Sequence, residues 1–240
     1  MNRMTTFTAA ALSAALAAAF VGGCSDMNKS DQAASADQYK SSTASDAPAA
    51  DFDRGPEPQV NPNTHFSAGR LCESQGHLDC AEIQYDQALR LDPKHVPSLY
   101  RMGVVLTKDK KYDQAVAIWK RYIQATGNLA SGYSNLGFTY EMAADPDNAE
   151  KAYKQGIEID PREKSCHINY GLMLARQDRA DEAQEQLALV LPPAEVAYNL
   201  AGIYEQQGAI SRAKDELQKA LAANPSMTQA QSKLAALPQD

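Results

Sequence analysis

The 240-residue sequence has one tryptophan, four histidines, four cysteines and no run of basic side chains. Its 23 Lys and Arg are interleaved with 30 Asp and Glu, for a net charge of −7. Phosphate backbones are held by clustered cations, so nucleic acid is excluded as a partner. The longest uncharged apolar stretch, residues 7–20, is too short to cross a bilayer comfortably. No Gly-rich phosphate loop, Gly-x-Ser-x-Gly elbow or paired-carboxylate signature occurs. His65, His77, His95 and His167 are scattered, none with a partner at the i+4 spacing of a metal pair. The sequence therefore predicts no catalytic residue, metal ligand, cofactor or small-molecule substrate, and the chain is not expected to be an enzyme.

The N-terminus has the layout of an export signal: Arg3, then the Ala-rich run at 7–20, then Val21-Gly22-Gly23-Cys24. That ending resembles the bacterial lipobox, which implies cleavage after residue 23 and lipidation of Cys24. The other reading is an ordinary cleaved signal with an incidental cysteine. Ser25, rather than Asp, after the cysteine resembles lipoproteins sent to the outer membrane. The expected location is the bacterial cell envelope, lipid-anchored and facing the periplasm. Residues 24–61 are rich in Ser, Ala, Asp and Pro and nearly devoid of large apolar side chains. Such a segment cannot offset its ordering entropy by burial, so a disordered tether with a reach of roughly 30–40 Å is expected. Docking of part of it on the folded region is the alternative.

Beyond residue 61 the chain repeats. Gly69, Gly103, Gly137 and Gly171 recur every 34 residues, as do Ala81, Ala115, Ala149 and Ala183. Four residues after each alanine stands a large apolar group: Tyr85, Trp119, Tyr153 and Leu187. The pattern returns with Ala201, Ala213 and Leu217 after a four-residue shortening around Pro192-Pro193. Apolar residues around the glycines fall at helical spacing, as in Leu136, Gly137 and Tyr140. Turn residues separate paired helices at Gly76, Asp109, Asp145-Pro146 and Gly208. Asp145 is placed to cap the helix that Pro146 opens. Pro93, Pro161 and Pro225 end repeats. A glycine within a helix costs about 1 kcal/mol against alanine, so its recurrence predicts close helix–helix approach, with the facing alanine small for the same reason.

A 34-residue helix-turn-helix unit with small residues at positions 8 and 20, a bulky one at 24 and proline at 32 resembles the tetratricopeptide repeat. The resemblance implies an all-α, right-handed α-solenoid of five repeats, at 62–95, 96–129, 130–163, 164–193 and 194–227. A capping helix and tail follow at 228–240, with Ala230 and Leu234 inward and Gln229, Gln231 and Lys233 outward. Two departures stand out: Tyr122 and Gly127 replace an expected Ala and Pro, and the fourth repeat is short, which predicts a tightened or bent superhelix at Pro192-Pro193. The resemblance also implies a concave peptide-binding groove made by the first helix of each repeat. Carried over position by position, that groove holds Phe66, Arg70, Tyr100, Val104, Phe138, Met142, Ile168, Leu172 and Tyr198. These residues predict an apolar surface for an apolar or amphipathic protein segment. The alternative is that some of them pack between neighbouring first helices or lie under the tether. Asn135, Asn169 and Asn199 recur at position 6, where the amide can simply bond backbone.

Cys72 and Cys80 fall at nearly equal height on the two helices of the first hairpin. In an oxidising envelope they could form a disulfide; equally, they could be two small buried apolar groups. Cys166 has no evident mate. The expected function is an envelope-anchored scaffold or adaptor for a partner protein. The last two repeats, with Asn169-Tyr170-Gly171-Leu172 and Tyr198-Asn199-Leu200-Ala201, look similar to those of Tad/Flp pilus-assembly lipoproteins and type IV pilus pilotins. That likeness points to pilus or secretion-system assembly. A docking regulator of cell-wall enzymes and an accessory subunit of an outer-membrane protein assembly machine are the alternatives.

Overall fold

A computed structural model describes residues 60–238, and every structural statement below concerns those residues. The expectations for the signal segment, Cys24 and all but the end of the tether lie outside them. Eleven helices are described and no strand. They pair into hairpins: α1 (Pro62–Ser74) with α2 (Leu78–Leu91), α3 (Val96–Lys108) with α4 (Tyr112–Ala125), and α5 (Ala130–Met142) with α6 (Pro146–Ile159). α7 (Lys164–Arg176) pairs with α8 (Ala180–Ala188), and α9 (Pro193–Gln206) with α10 (Ile210–Ala223). A final helix, α11 (Thr228–Ala236), closes the C-terminal end. First helices touch one another (α1 with α3, α5 with α7, α7 with α9), while each second helix packs on its own first helix and on the next one. The result is a two-layer solenoid whose inner layer is made of first helices.

Local chemistry sets the helix ends. Asn61 accepts from the Thr64 amide at 3.1 Å, and Pro62 follows where a missing N–H does no harm. Asp145 caps α6 through the Asn148 amide at 3.2 Å, with Pro146 at the first helical position. α2, α6 and α10 each stop two residues before Pro93, Pro161 and Pro225.

The turn inside every hairpin passes through one left-handed residue, the fifteenth of its repeat. These are Gly76 (φ 79°), Lys110 (61°), Ala144 (59°), Asp178 (61°) and Gly208 (74°). Only two of the five are glycine, so the turn geometry is imposed by hairpin packing and three side chains tolerate it.

The glycines permit close approach, but their neighbour is the bulky group rather than the facing alanine. A Cβ on Gly69, Gly103 or Gly137 would lie 2.5–2.6 Å from the ring of Tyr85, Trp119 or Tyr153, respectively. At Gly171 it would meet Leu187 at 2.8 Å and the Ala183 carbonyl at 3.1 Å. The fifth hairpin has Ala201 and Leu217, both fully buried. Tyr122, the first departure, fits because Gly132 of α5 lies against it: a Cβ there would meet Ile123 at 2.8 Å and the Tyr122 ring at 3.2 Å. In the same departure, Gly127 and Asn128 both take positive φ (68° and 66°) and make the turn that Asp-Pro makes elsewhere.

Cys72 and Cys80 are joined, with their Cα atoms 5.7 Å apart, and clip α1 to α2. The capping helix buries Ala230 and half-buries Leu234. Lys233 does not point outward as expected. Its ammonium sits 2.5 Å from Glu205 and 6.0 Å from the centre of the Tyr198 ring, drawn in by a carboxylate and an aromatic face.

Candidate functional site

The inner layer carries the nine residues expected to form the groove, but they do not make one open apolar strip. Arg70 and Tyr100 are exposed; the other seven are half-buried. Val104 packs against the core of the N-terminal repeats, while Ile168, Leu172 and Tyr198 pack against that of the C-terminal repeats. First helices touch at α1–α3, α5–α7 and α7–α9, so these four side chains are shared between the groove face and packing against the core. The apolar surface that remains is centred on Tyr100, which is 38% exposed. Its ring stands edge-on to Trp119 at 5.6 Å and lies 5.7 Å from Tyr122, and those two rings meet at 88°. Trp119 and Tyr122 are buried, so Tyr100 is presented on a rigid aromatic base. At the N-terminal end Phe66 packs near Tyr85 (6.0 Å) and edge-on to His95 (5.8 Å).

Charge on this layer is arranged in a way the sequence reading missed. Glu73, its side chain 7% exposed, receives both Nε and Nη2 of Arg101 at 2.7 and 2.6 Å and the Tyr85 hydroxyl at 2.5 Å. Two hairpins later Glu141 repeats the arrangement with Arg176 and the Tyr153 hydroxyl. Burial pushes the Glu141 carboxyl up, and Arg176 opposes that shift. Burial and then Glu73 push the Tyr85 phenol up, and burial and then Glu141 act likewise on Tyr153. The signal was present as a Glu and a Tyr twelve residues apart in the first and third repeats. These pairs tie the first repeat to the second and the third to the fourth. The asparagines at position 6 are engaged: Asn135 and Asn199 donate to the Ser131 and Glu195 carbonyls, and Asn169 donates to the Ser134 hydroxyl at 2.9 Å.

Elsewhere Asp79, Glu82 and Asp109 bring carboxylate oxygens within 4.8 Å of one another. The Lys111 ammonium fills that space, 2.8 Å from both Glu82 and Asp109 and 3.9 Å from Asp79. Three histidines are held by structural partners: His65 by Gln84, His95 by Ser98 and Asn63, and His167 by Gln186 and the Pro161 carbonyl. The Cys166 thiol is buried, donates to the Ala130 carbonyl at 3.4 Å, and is pushed up to about 12 by burial. At that value it stays protonated near neutral pH and is a poor nucleophile.

Comparison with known proteins agrees with this geometry. Residues 62–95, 130–163 and 194–227 match one tetratricopeptide repeat profile, and residues 84–117 match another. Together the matches span just over half of the chain. The in-register matches fall on the first, third and fifth hairpins, whereas the departures lie in the second and fourth. The chain is 25% identical over 128 residues to the general transcriptional corepressor ssn6 of Schizosaccharomyces pombe, covering 52% of this chain and 12% of that protein. It is 29% identical over 105 residues to the Hsp70-Hsp90 organizing protein of Triticum aestivum, covering 44% of this chain and 17% of that protein. The matched stretch is thus a small part of either relative. The crystal structure of TTC0263, a thermophilic TPR protein in Thermus thermophilus, superposes with a TM-score of 0.52 at 21% identity, over 73% of this chain and 97% of that one.

Proposed function

The chain belongs to the tetratricopeptide-repeat family, and from that premise we propose that it is a non-catalytic scaffold holding an apolar or amphipathic segment of a partner protein on its inner layer. The observation that carries this reading is Tyr100, an exposed ring braced by two buried aromatics, with the half-buried Phe66, Val104 and Phe138 on first helices of the same layer. Preorganised aromatic anchors lose little entropy on binding and dominate contact energetics. We further propose that the scaffold is tethered to the bacterial envelope through lipidated Cys24, most simply at the outer membrane. There it would serve pilus or secretion-system assembly. The lipobox-like Val21-Gly22-Gly23-Cys24 and the Ser/Ala/Asp-rich linker support the anchor, and the likeness of the last two repeats supports the pathway.

A photocrosslinking amino acid placed at Tyr100 in the membrane-bound protein tests the binding reading. One discrete adduct is expected, weakened by Phe138→Ala and unchanged between low and high salt, because apolar contact is little screened. Adduct formation that is insensitive to Phe138→Ala, in a variant that keeps its helicity, would refute it. For the anchor, Cys24→Ala should release the protein or leave an uncleaved precursor. Unchanged retention and mass would refute that part alone.

A further inference from the structure

Each first helix has a side that is built to be covered by the preceding hairpin. The tenth residue of the repeat lies on it, and Val105, Thr139, Met173 and Ile203 are there 0–4% exposed. In the first repeat that residue is Leu71, which is 60% exposed. On the same side of α1, Thr64 is exposed and Ala68, one turn before Leu71, is half-buried. α1 packs on α2 and touches α3, and its side away from them is bare among the described residues. The other end of the solenoid is finished differently: α11 covers the last hairpin and leaves Gln229 and Gln231 in solvent. A stacked array needs such polar ends for solubility. A leucine at the opposite end calls for a cover.

Two observations point to the chain's own tether. The first is reach. Leu71 lies ten residues beyond Asn61, about 15 Å along the helix. Between Cys24 and Val60 the aromatic side chains are Tyr39 and Phe52, and Phe52 stands eight residues before Val60. Eight residues of chain have an r.m.s. span of about 16 Å. A tethered group docks best when the r.m.s. length of its link matches the distance to its site. Tyr39 would need a link more than twice as long. The second is charge. Phe52 is flanked by Asp51 and Asp53. Leu71 follows Arg70, which is exposed and has no ion pair or hydrogen bond. We propose that Asp51-Phe52-Asp53 folds back on α1 as the N-terminal cap of the solenoid, with the Phe52 ring on Leu71 and Ala68 and its neighbouring carboxylates at Arg70. The last nine residues of the tether then belong to the first hairpin, and residues 25–50 alone set the reach, shortened to roughly 25–30 Å. Arg70 is also a groove position, so the N-terminal end of the inner layer carries a free guanidinium only when the cap is off.

The test uses the full chain with p-benzoylphenylalanine at position 52. On illumination it should give one adduct within the chain, mapped by mass spectrometry to the α1 peptide around Leu71. The same group at position 39 should give that adduct at least about fourfold less, and twelve Gly and Ser residues inserted after Gln59 should lower the yield from position 52 about fourfold, because the longer link dilutes the tethered group. In hydrogen exchange, Phe52→Ser and Leu71→Ser should each speed the α1 amides about tenfold, and the double variant should be no faster than either, since both remove one contact. Adducts scattered over several helices, a yield unchanged by the insertion, or additive effects on exchange would each overturn the proposal. Adducts that join two chains and grow with protein concentration would make a second copy the occupant and overturn it as well. Leu71→Ser alters an exposed side chain and leaves the core intact, which far-ultraviolet circular dichroism checks; if that variant unfolds, the adduct and the insertion decide alone.

Discussion

Gly137→Ala should destabilise the protein although it replaces a poor helix former with the best one. The intrinsic gain is about 1 kcal/mol. Against it, the new methyl would sit 2.5 Å from Cε1, 2.7 Å from Cδ1 and 2.9 Å from Cζ of Tyr153. Carbon contacts are comfortable near 3.5–4.0 Å, so the ring must retreat by about 1 Å. Tyr153 is fully buried and its hydroxyl lies at Glu141, which leaves little room for that retreat. Overpacking of this kind costs about 1–3 kcal/mol, and with the ring held on both sides the upper part of that range applies, so the net loss should approach about 2 kcal/mol, a drop of about 1 M in the urea midpoint. Gly202→Ala is the matched control, because no atom lies within 4 Å of a Cβ there; it should gain up to about 1 kcal/mol. The fifth hairpin supplies the rescue: it has Ala201 and Leu217, both fully buried, at the corresponding positions, so Gly137→Ala combined with Tyr153→Leu should cost less than the two single changes added together, with a coupling of about 1 kcal/mol. Denaturant melts of the four variants decide it. A Gly137→Ala protein as stable as Gly202→Ala would refute the close-contact argument.

Other perturbations follow from the same geometry. Ala144→Gly removes a Cβ from a left-handed turn at φ 59° and should raise stability by about 0.5–1 kcal/mol, measured as a higher thermal midpoint. Reducing the Cys72–Cys80 bond, or replacing both residues by Ala, should cost about 2 kcal/mol, with hydrogen-exchange protection lost mainly in α1 and α2. Arg179 and then Lys154 hold the Glu150 carboxyl down from 4.5 to about 2. A depressed folded value contributes stability above the unfolded value that disappears as pH falls through the folded one. Glu150→Gln should therefore cost about 1 kcal/mol at pH 7, and its melts should converge with wild type between pH 4.5 and about 2.

The repeat was legible because period and size are one-dimensional: Gly69, Gly103, Gly137 and Gly171 mark a spacing that survives without knowledge of what each glycine touches. The partner of each glycine was not legible in the same way. The facing alanine was the natural inference, yet the aromatic four residues later occupies the contact, because its ring reaches back over the glycine. The left-handed turn residue was hidden by its variety, since Lys110, Ala144 and Asp178 share a conformation but no chemistry. The ties from Glu73 to Arg101 and from Glu141 to Arg176 span repeats at 28 and 35 residues and so fall outside the 34-residue register. Groove positions transferred by frame fall on the first helices of the hairpins. They could not say that Ile168, Leu172 and Tyr198 spend most of their surface on inter-repeat packing, because that depends on how closely successive first helices approach.

The bond between Cys72 and Cys80 also has a mechanical meaning. A pull on the chain at Val60 enters the fold through α1, whose outer side has no preceding repeat to brace it among the described residues. Peeling α1 would proceed residue by residue only as far as Cys72. From there the bond passes tension straight to Cys80 in α2, which packs against α3. Residues 73–79 are bypassed, and about 25 Å of chain that would otherwise pay out stays stored. Stretching from the N-terminal side should therefore show a short first extension followed by a stiffer step, and a reductant should lengthen the first and abolish the distinction.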